Sequence, residues 1–583
     1  MIKLSDYVFQ FLKNHNVRHV FMLPGGGAMH LCDSLGASGI EYISFLHEQG
    51  ASIAAEAYAQ HTNTPGVVLV TSGPGATNAI TAVAAGWIDS TPMIIISGQA
   101  KRSDLVGIKG VRQIGSQEVN IVPMVKTVTK YAVQVLDPRK IRIYLEKAWH
   151  EAVTGRPGPV WLDIPLDVQA AMLDEGKLLK LSYEGDSIGN WELKDVIEKT
   201  IGLIKQSKKP LILAGNGIKL SGALEDFELL IRSFNIPVQT TWKTIDVMDE
   251  YDPLYVGHPG IMGDRGSNYI LQEADFLLSI GSRLDTSITA FNDRHFGCNA
   301  KKLIVDIDPD EIARMDMDME AFAVCDAGAF IRALYEAREK DDEIPDYSDW
   351  IEHCKKLRRE YPIVTDAHRY MAGFVSAYYF IERLCDILQE SDIIVPESSG
   401  GAGEITYQAW RLKKGQKMKN AAGLGSMGFG LPYAIGSCIA NNKRRTILIN
   451  GDGAFQLNIQ EMETLHRLKL PVKIFIWCNE GYASIRAMQR KNFKGRYVAS
   501  EKNSGLTIPD MRRIAEAYGF RSYELRNNDE VNNYLEEMLA DDEPLLCVVH
   551  VNPIETVSPK VCAYIDENGE IKSGLLESMW PEI

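Results

Sequence analysis

The sequence predicts an α/β protein built from three consecutive doubly wound parallel-sheet domains, and three observations predict it. Short apolar runs rich in β-branched residues alternate along the whole chain with segments of helical periodicity, the pattern of parallel strands covered on both faces by helices. At 583 residues the chain exceeds what one hydrophobic core serves, so several domains are expected. One stretch, 446–485, reads as a complete strand–helix–strand unit.

The strand runs fall in three groups. HVFML, GVVLV and PMIIIS lie early, PLILAG and FLLSIG in the middle, and TILIN and VKIFIWC late. They define blocks at 1–170, 190–340 and 370–560, separated by polar segments. The clearest linker, AREKDDEIPDYSDW (337–350), is rich in charge and holds a proline, as a domain boundary does. The first and third blocks share a pattern and are expected to be similar units. No short-period repeat is visible, which argues against a solenoid.

Composition narrows the function. Hydrophobic residues make up 45% of the chain, enough for a sizeable interior, while a net charge of −15 leaves no basic excess for holding phosphate backbones. A small-molecule enzyme fits better than a nucleic-acid binder. Nine cysteines are scattered without a C-x-x-C pair, so reduced thiols are expected rather than a disulfide framework or a zinc knuckle. The N-terminus lacks the apolar core of a signal peptide, and no run of 18 uncharged apolar residues occurs. A cytoplasmic protein without a membrane partner is the expectation.

The unit at 446–485, TILINGDGAFQLNIQEMETLHRLKLPVKIFIWCNEGYASI, carries the chemistry. Asn458 with Glu461 reads as a capping pair, and Ile459, Met462, Leu465 and Leu468 form an apolar helical stripe. Pro471 then precedes the second strand. Such a unit places Asp452 and Asn479 at the same carboxyl edge of neighbouring parallel strands, where open α/β sheets bind ligands. A carboxylate and an amide oxygen are hard donors suited to Mg²⁺ or Ca²⁺, and Gly453 is expected to let the backbone approach an anion held by the metal. A metal-bridged diphosphate is the natural guest. Gly-Asp-Gly alone is an ordinary helix start; the Asn placed 27 residues beyond Asp452 turns the reading toward a metal site.

A second acid stands out in HEQGASIAAEAYA (47–59). Glu48 follows the apolar stretch Ile43–Leu46 and opens an Ala-rich helix poor in other charges. As a helix N-terminal acid it would contribute about 0.3–1 kcal/mol through the dipole. That reading stays open beside a catalytic one.

These motifs carry a resemblance. Gly-Asp-Gly, helix, strand and Asn at this spacing resemble the thiamine diphosphate motif. The chain as a whole is similar to the acetolactate synthase family over nearly all its length, through LPGGGAMHLCDSL (23–35), HEQGASIAAEAYA, TSGPGATNAITAVAAGWIDSTPMIIISGQ (71–99), GRPGPVWLDIPLDVQ (155–169), VDIDPDEI (305–312) and GLGSMGFGLPYAIG (423–436). The resemblance implies the thiamine diphosphate-binding fold. Block 1–170 would hold the cofactor's pyrimidine, block 370–560 its diphosphate and Mg²⁺, and block 190–340 would be a central domain with an FAD or nucleotide site left open.

It further implies roles residue by residue. Mg²⁺ would be held by the side chains of Asp452 and Asn479 and the carbonyl of Gly481, with Gly453 and Ala454 beside the diphosphate; Cys478 departs from the family's usual Asn. Glu48 would hydrogen-bond N1′ of the aminopyrimidine and promote its imino tautomer, a task suited to a carboxyl whose pKa burial raises. Gly425 would accept from the 4′-amino group, and Met427 would support the bend that brings the two rings together. Gln117 would face the substrate side, and the loop at 398–410 the diphosphate.

The activity implied is decarboxylation of a 2-keto acid, pyruvate by resemblance, with transfer of the two-carbon unit to a second carbonyl. Where the family carries Met and Trp after the metal motif, this chain has Ser484 and Met488, with Arg486, Arg490 and Lys491 adding charge. That departure is similar to relatives using a nucleotide-linked keto-sugar as acceptor; solvated surface cations are the other reading. His30 and His47 flank the expected cofactor edges, as proton carriers or as core histidines. Arg156 and Arg283 match FAD-contacting positions, although Gly215-Asn216-Gly217 is no full dinucleotide fingerprint. Family architecture implies a homodimer or homotetramer with sites at the subunit interface. A non-oxidative decarboxylase, a flavin-dependent oxidase of the pyruvate-oxidase kind and a non-catalytic relative are the alternatives.

Overall fold

Strand-forming runs of Val, Ile and Leu assemble three parallel sheets in succession. The computed structural model describes residues 1–107, 109–181, 191–341 and 343–582. The first sheet comprises β1 (His19–Met22), β2 (Glu41–Ser44), β3 (Gly66–Val70), β4 (Met93–Gln99), β5 (Tyr131–Gln134) and β6 (Pro159–Pro165), in the order β2-β1-β3-β4-β6-β5. Every residue of β3, β4 and β6 is buried, which is why these strands are apolar on both faces rather than alternating. A short antiparallel pairing of Ile2–Lys3 with Met172–Leu173 closes this unit.

The central sheet holds β7 (Pro210–Ala214), β8 (Val238–Thr240), β9 (Phe276–Ile280), β10 (Lys301–Asp306) and β11 (Ala321–Val324), ordered β8-β7-β9-β10-β11. The third comprises β12 (Ile393–Pro396), β13 (Lys417–Met418), β14 (Thr446–Gly451), β15 (Val472–Cys478), β16 (Arg521–Leu525) and β17 (Leu545–His550), ordered β13-β12-β14-β15-β17-β16. Numbered within their own units, the first and third sheets share one strand order, 2-1-3-4-6-5, with every pairing parallel. The similarity expected of these blocks is therefore a shared topology.

The Ala-rich run finds its explanation in the contact between those two units. Helix α1 (Glu48–Thr62) is buried from Gly50 to Ala59, although a surface helix would expose one side. Its second neighbour is α4 (Gly430–Ala440) of the third unit, and a Cβ placed on Gly436 would lie 2.2 Å from the Ala54 carbonyl oxygen. Small residues on both helices let the backbones approach this closely, so the first and third units share one continuous core that includes Ile53, Ala54, Tyr433 and Phe455.

Two segments differ from the sequence reading. Within the expected linker 337–350, residue 342 lies outside the described residues. The linker's C-terminal end begins helix α2 (Ser348–Glu360), which buries Trp350 and Cys354 against the central unit. Beyond β17 the chain returns to that unit: the Val561 amide donates to the Ile261 carbonyl at 2.8 Å, Asn268 donates to the Leu576 carbonyl at 2.9 Å, and Arg265 to that of Met579 at 3.2 Å. All nine cysteines are free thiols. No helix among the described residues is long and apolar enough to cross a membrane.

Candidate active site

The Gly-Asp-Gly unit folds as parallel β14 and β15 with a broken crossover: α5 (Asp452–Phe455), a 3-10 turn at Gln456–Asn458, then α6 (Glu461–Leu468). Asp452 and Asn479 stand together at the carboxyl edge. The Asp452 carboxylate, 1% exposed, accepts from the amides of Gly453 (2.7 Å), Asn479 (3.2 Å) and Gly481 (3.3 Å). Burial pushes its pKa up to about 6 against the pull of these donors. Asn479 Oδ1 is buried and accepts no hydrogen bond among the described residues, an orphaned acceptor beside a buried acid. The Gly481 carbonyl, reached by the Ala483 amide at 3.1 Å, keeps a second lone pair. Two side-chain oxygens and a carbonyl, with no group of three His, Cys, Asp or Glu among the described residues, form an all-oxygen donor set that fits a hard cation such as Mg²⁺ completed by non-protein oxygens.

Backbone geometry explains the residue types in this loop. Glu480 and Gly481 both have positive φ, +67° and +117°, and a Cβ on Gly481 would sit 2.7 Å from the Ser500 carbonyl oxygen. A Cβ on Gly453 would lie 2.4 Å from the Tyr482 ring, so a side chain there would displace Tyr482. Ala454 is buried next to it. Cys478 places its thiol against the Asp452 carboxylate, and burial first, then that charge, push the thiol up to about 11.

The strand order of the third sheet reverses between parallel β12 and β14, and this switch point opens beside Asp452. Helix α3 (Gly401–Ala409) starts there behind Gly400, and a Cβ on Gly400 would meet Ser484 Oγ at 3.3 Å, which brings the 398–410 loop and Ser484 together. At the end of β12 sits Glu397, a fully buried acid unused in the sequence reading. It accepts from the amides of Ser398 (3.0 Å) and Gly430 (3.1 Å), and burial pushes its pKa up to about 7. Gly425 faces the same loop, with the Ser398 carbonyl oxygen 3.7 Å from where its Cβ would be, and Met427 is 38% exposed just beyond it.

Glu48 opens α1 from the first unit and is 7% exposed, with Oε2 accepting from Asn78 Nδ2 at 3.0 Å. The turn at 72–75 joins it to Gln117. A Cβ on Gly75 would lie 3.4 Å from Glu48 Oε1, and one on Gly73 2.3 Å from the Gln117 carbonyl oxygen. Gln117 itself is exposed with φ +56°; its loop is held by buried Glu118, which accepts from the amides of Ile114 (3.0 Å) and Gly115 (3.1 Å).

Asn458 and Glu461 are not the capping pair expected, since no side chain caps α6. They reach across to the first unit. Asn458 Nδ2 donates to Gln49 Oε1 (3.1 Å) and to the Gly428 carbonyl (2.8 Å), while Glu461 accepts from the Leu46 amide at 3.3 Å. Arg467 donates to the Ser44 carbonyl at 2.6 Å. Thus the crossover between the Asp452 and Asn479 strands also grips the segment that carries Glu48. No hydrogen bond links Glu48 directly to Asp452, Asn479 or Met427 among the described residues.

The remaining candidates divide. His47 caps α1, its Nδ1 accepting from the Gln49 amide at 3.2 Å, which occupies that nitrogen structurally. His30 is half-buried next to Asp33. Met488 and Ser484 lie exposed on α7 (Ala483–Asn492), a helix with no buried residue. Arg486 corrects the sequence reading: its guanidinium is committed to three backbone carbonyls, those of Asn479 (2.7 Å), Pro553 (3.0 Å) and Glu480 (3.1 Å), and not turned to a substrate.

At the carboxyl edge of the central sheet lies a cavity of about 590 Å³, lined among others by Arg156, Gly217, Lys243, Arg283 and Asp306. Arg156 is held there by Asp308 (2.9 Å) and Glu311 (2.8 Å). Lys243 binds Asp89 (2.9 Å), Gln60 (2.7 Å) and the Asn420 carbonyl (3.0 Å), joining all three units at the cavity wall.

Three parallel-sheet units and a hard-donor loop at a switch point define a nucleotide- or diphosphate-binding α/β architecture. Family models agree with that class: the chain matches the N-terminal TPP binding domain of thiamine pyrophosphate enzymes over residues 2–124, their central domain over 197–334 and their C-terminal TPP binding domain over 399–549. It is 31% identical over 573 residues to a probable acetolactate synthase large subunit of Methanococcus aeolicus, covering 95% of this chain and 93% of that one. It is 32% identical over 569 residues to the acetolactate synthase large subunit of Cyanidium caldarium (94% of each chain). It is 30% identical over 562 residues to the isozyme 2 large subunit of Escherichia coli (96% and 97%). The chain belongs to the thiamine pyrophosphate enzymes, in the acetolactate synthase family.

Proposed function

We propose that the protein is a thiamine diphosphate- and Mg²⁺-dependent carboligase that decarboxylates pyruvate and transfers the two-carbon unit to a second carbonyl compound. The observation that carries this reading is the orphaned Asn479 Oδ1 beside buried Asp452, on a chain whose relatives are acetolactate synthase large subunits. Thiamine diphosphate supplies the electron sink that decarboxylation of a 2-keto acid requires. Asp452, Asn479 and the Gly481 carbonyl would hold the cation, and the α3 N-terminus with the 398–410 loop would receive the cofactor's diphosphate. Glu48, kept from water and oriented by Asn78, would hydrogen-bond the pyrimidine; Gly425 and Met427 would shape the cofactor's bend; Gln117 would orient an incoming carbonyl. Within one chain no hydrogen bond among the described residues links Glu48 to Asp452 or Asn479, and in the working unit assigned here, a homodimer or a pair of dimers, Glu48 would face the metal loop of a second copy. The central cavity is assigned to a nucleotide, with FAD as the ligand to test.

For the acceptor, a nucleotide-linked keto-sugar is proposed. Support comes from α7 and the segment after it, where Arg490, Lys491, Lys494 and Arg496 are exposed and form no ion pair among the described residues, leaving cations for a diphosphate. Ser484 and Met488 present modest side chains on the same helix.

Mass spectrometry of products from pyruvate, with and without a panel of keto-acids and nucleotide-linked keto-sugars, tests the proposal. A C–C coupled product formed only with Mg²⁺ and thiamine diphosphate is expected. Release of acetaldehyde alone would replace it with a simple decarboxylase, and bleaching of a bound flavin by pyruvate without oxygen would replace it with an oxidase.

A further inference from the structure

The metal loop is shaped by two opposed sets of hydrogen bonds. From inside, Asp452 takes the amides of Asn479 and Gly481. From outside, Arg486 donates to the carbonyls of Asn479 and Glu480, so the loop turns N–H groups to Asp452 and carbonyls to Arg486 and is clamped between the two side chains. This arrangement accommodates the positive φ of Glu480, a conformation that costs a non-glycine residue about 1 kcal/mol or more. The same guanidinium reaches the Pro553 carbonyl, at the root of the segment that leaves β17 and docks on the central unit through Val561 and Leu576. A planar fork with five donors can serve three carbonyls at once; a lysine ammonium on a flexible stem cannot hold them in one plane.

We propose that Arg486 is a positioning residue for the divalent cation: it fixes the 479–481 loop so that Asn479 Oδ1 and the Gly481 carbonyl face the metal, and it ties that loop to the base of the C-terminal segment. The proposal rests on the reading of Asp452, Asn479 and Gly481 as the cation site. It removes Arg486 from substrate recognition and gives it a task set by the geometry of the loop. Outer-shell partners of this kind change metal affinity by about 10- to 100-fold when removed.

The test is a Mg²⁺ titration of the full-length protein at fixed thiamine diphosphate, followed by intrinsic fluorescence, with Trp477 two residues before Asn479 as a reporter. Keto-acid KM is measured in parallel at saturating Mg²⁺. For Arg486→Met the Mg²⁺ concentration at half-saturation should rise about 10- to 100-fold, and for Arg486→Lys by less, while KM stays within about twofold of the wild type. If Arg486→Met does not fold, Arg486→Lys decides. Unchanged Mg²⁺ half-saturation in a folded variant, or a raised KM with unchanged Mg²⁺ dependence, overturns the proposal alone. A wild-type chain that binds thiamine diphosphate without regard to Mg²⁺ overturns the cation-site reading and this proposal with it.

Discussion

The first and third sheets have the same strand order, yet their switch points are built in opposite ways. In the third unit the crevice between β12 and β14 is bordered by the start of α3 and by buried Asp452, with an acceptor left unsatisfied on Asn479. In the first unit the corresponding crevice, between β1 and β3, is filled. The Gly27 amide donates to Thr71 Oγ1 at 3.0 Å, a Cβ on Gly25 would lie 2.5 Å from Thr71 Cβ, and one on Gly27 2.4 Å from Ser72 Oγ. One topology thus supplies a candidate ligand edge in one copy and a packed edge in the other. The first unit's candidate acid lies elsewhere: Glu48 follows its edge strand β2, on a segment whose Ser44, Leu46 and Gln49 are bound from the third unit by Arg467, Glu461 and Asn458. Topology offers the site; the residues at the strand ends decide whether it is used.

The largest effect that would sharpen this contrast is at Glu48. Glu48→Gln should lower turnover of pyruvate by about 10²–10⁴-fold, as expected for a group acting on proton transfer, while Mg²⁺-dependent binding of thiamine diphosphate changes by less than about tenfold. Steady-state kinetics beside equilibrium dialysis reads both. Equal losses in binding and turnover would show that the two units do not divide the work.

Packing of the first switch point predicts a smaller effect. Gly27→Ala forces a methyl onto Ser72 and should destabilise the chain by about 1–3 kcal/mol in urea unfolding. Ser72→Ala in the same chain should recover part of that loss by removing Oγ. A Gly27→Ala protein as stable as the wild type would mean the crevice is open after all.

Glu397 gives a pH signature in the third unit. Its folded pKa, raised to about 7 by burial, exceeds the ordinary carboxyl value, so the folded state binds more protons than the unfolded chain between roughly pH 4.5 and 7. Its contribution favours folding at the acid end of that window and declines as pH rises through it, by on the order of 3 kcal/mol at most. Glu397→Gln should flatten this slope in unfolding measured at pH 5 and 7.5. An unchanged slope would locate the ionisable group elsewhere.

Much of this architecture was legible in the sequence, and the limit is physical. Fully buried parallel strands need uninterrupted Val, Ile and Leu, so β3, β4, β14 and β15 announce themselves. Asp452 and Asn479 are legible because a crossover of set length returns to the same sheet edge. What depends on distant neighbours is not. Asn458 and Glu461 satisfy a local capping pattern but bind residues more than 400 positions away. The close approach of Tyr482 to Gly453 carries no sequence signal either. Arg486 reads as a free cation because the carbonyls it binds carry no sequence signal, and the alanines of α1 declare a close neighbour without saying it is α4.

The most direct measurement is binding of thiamine diphosphate to the wild type and to Asn479→Ala, each titrated with Mg²⁺. Removing this buried oxygen, which has no partner among the described residues, should abolish the Mg²⁺ dependence or shift it by at least about 100-fold while leaving urea stability nearly unchanged, because the oxygen takes no hydrogen bond from the described residues. Identical Mg²⁺ dependence in the two proteins would contradict the assignment of this edge as the cation site.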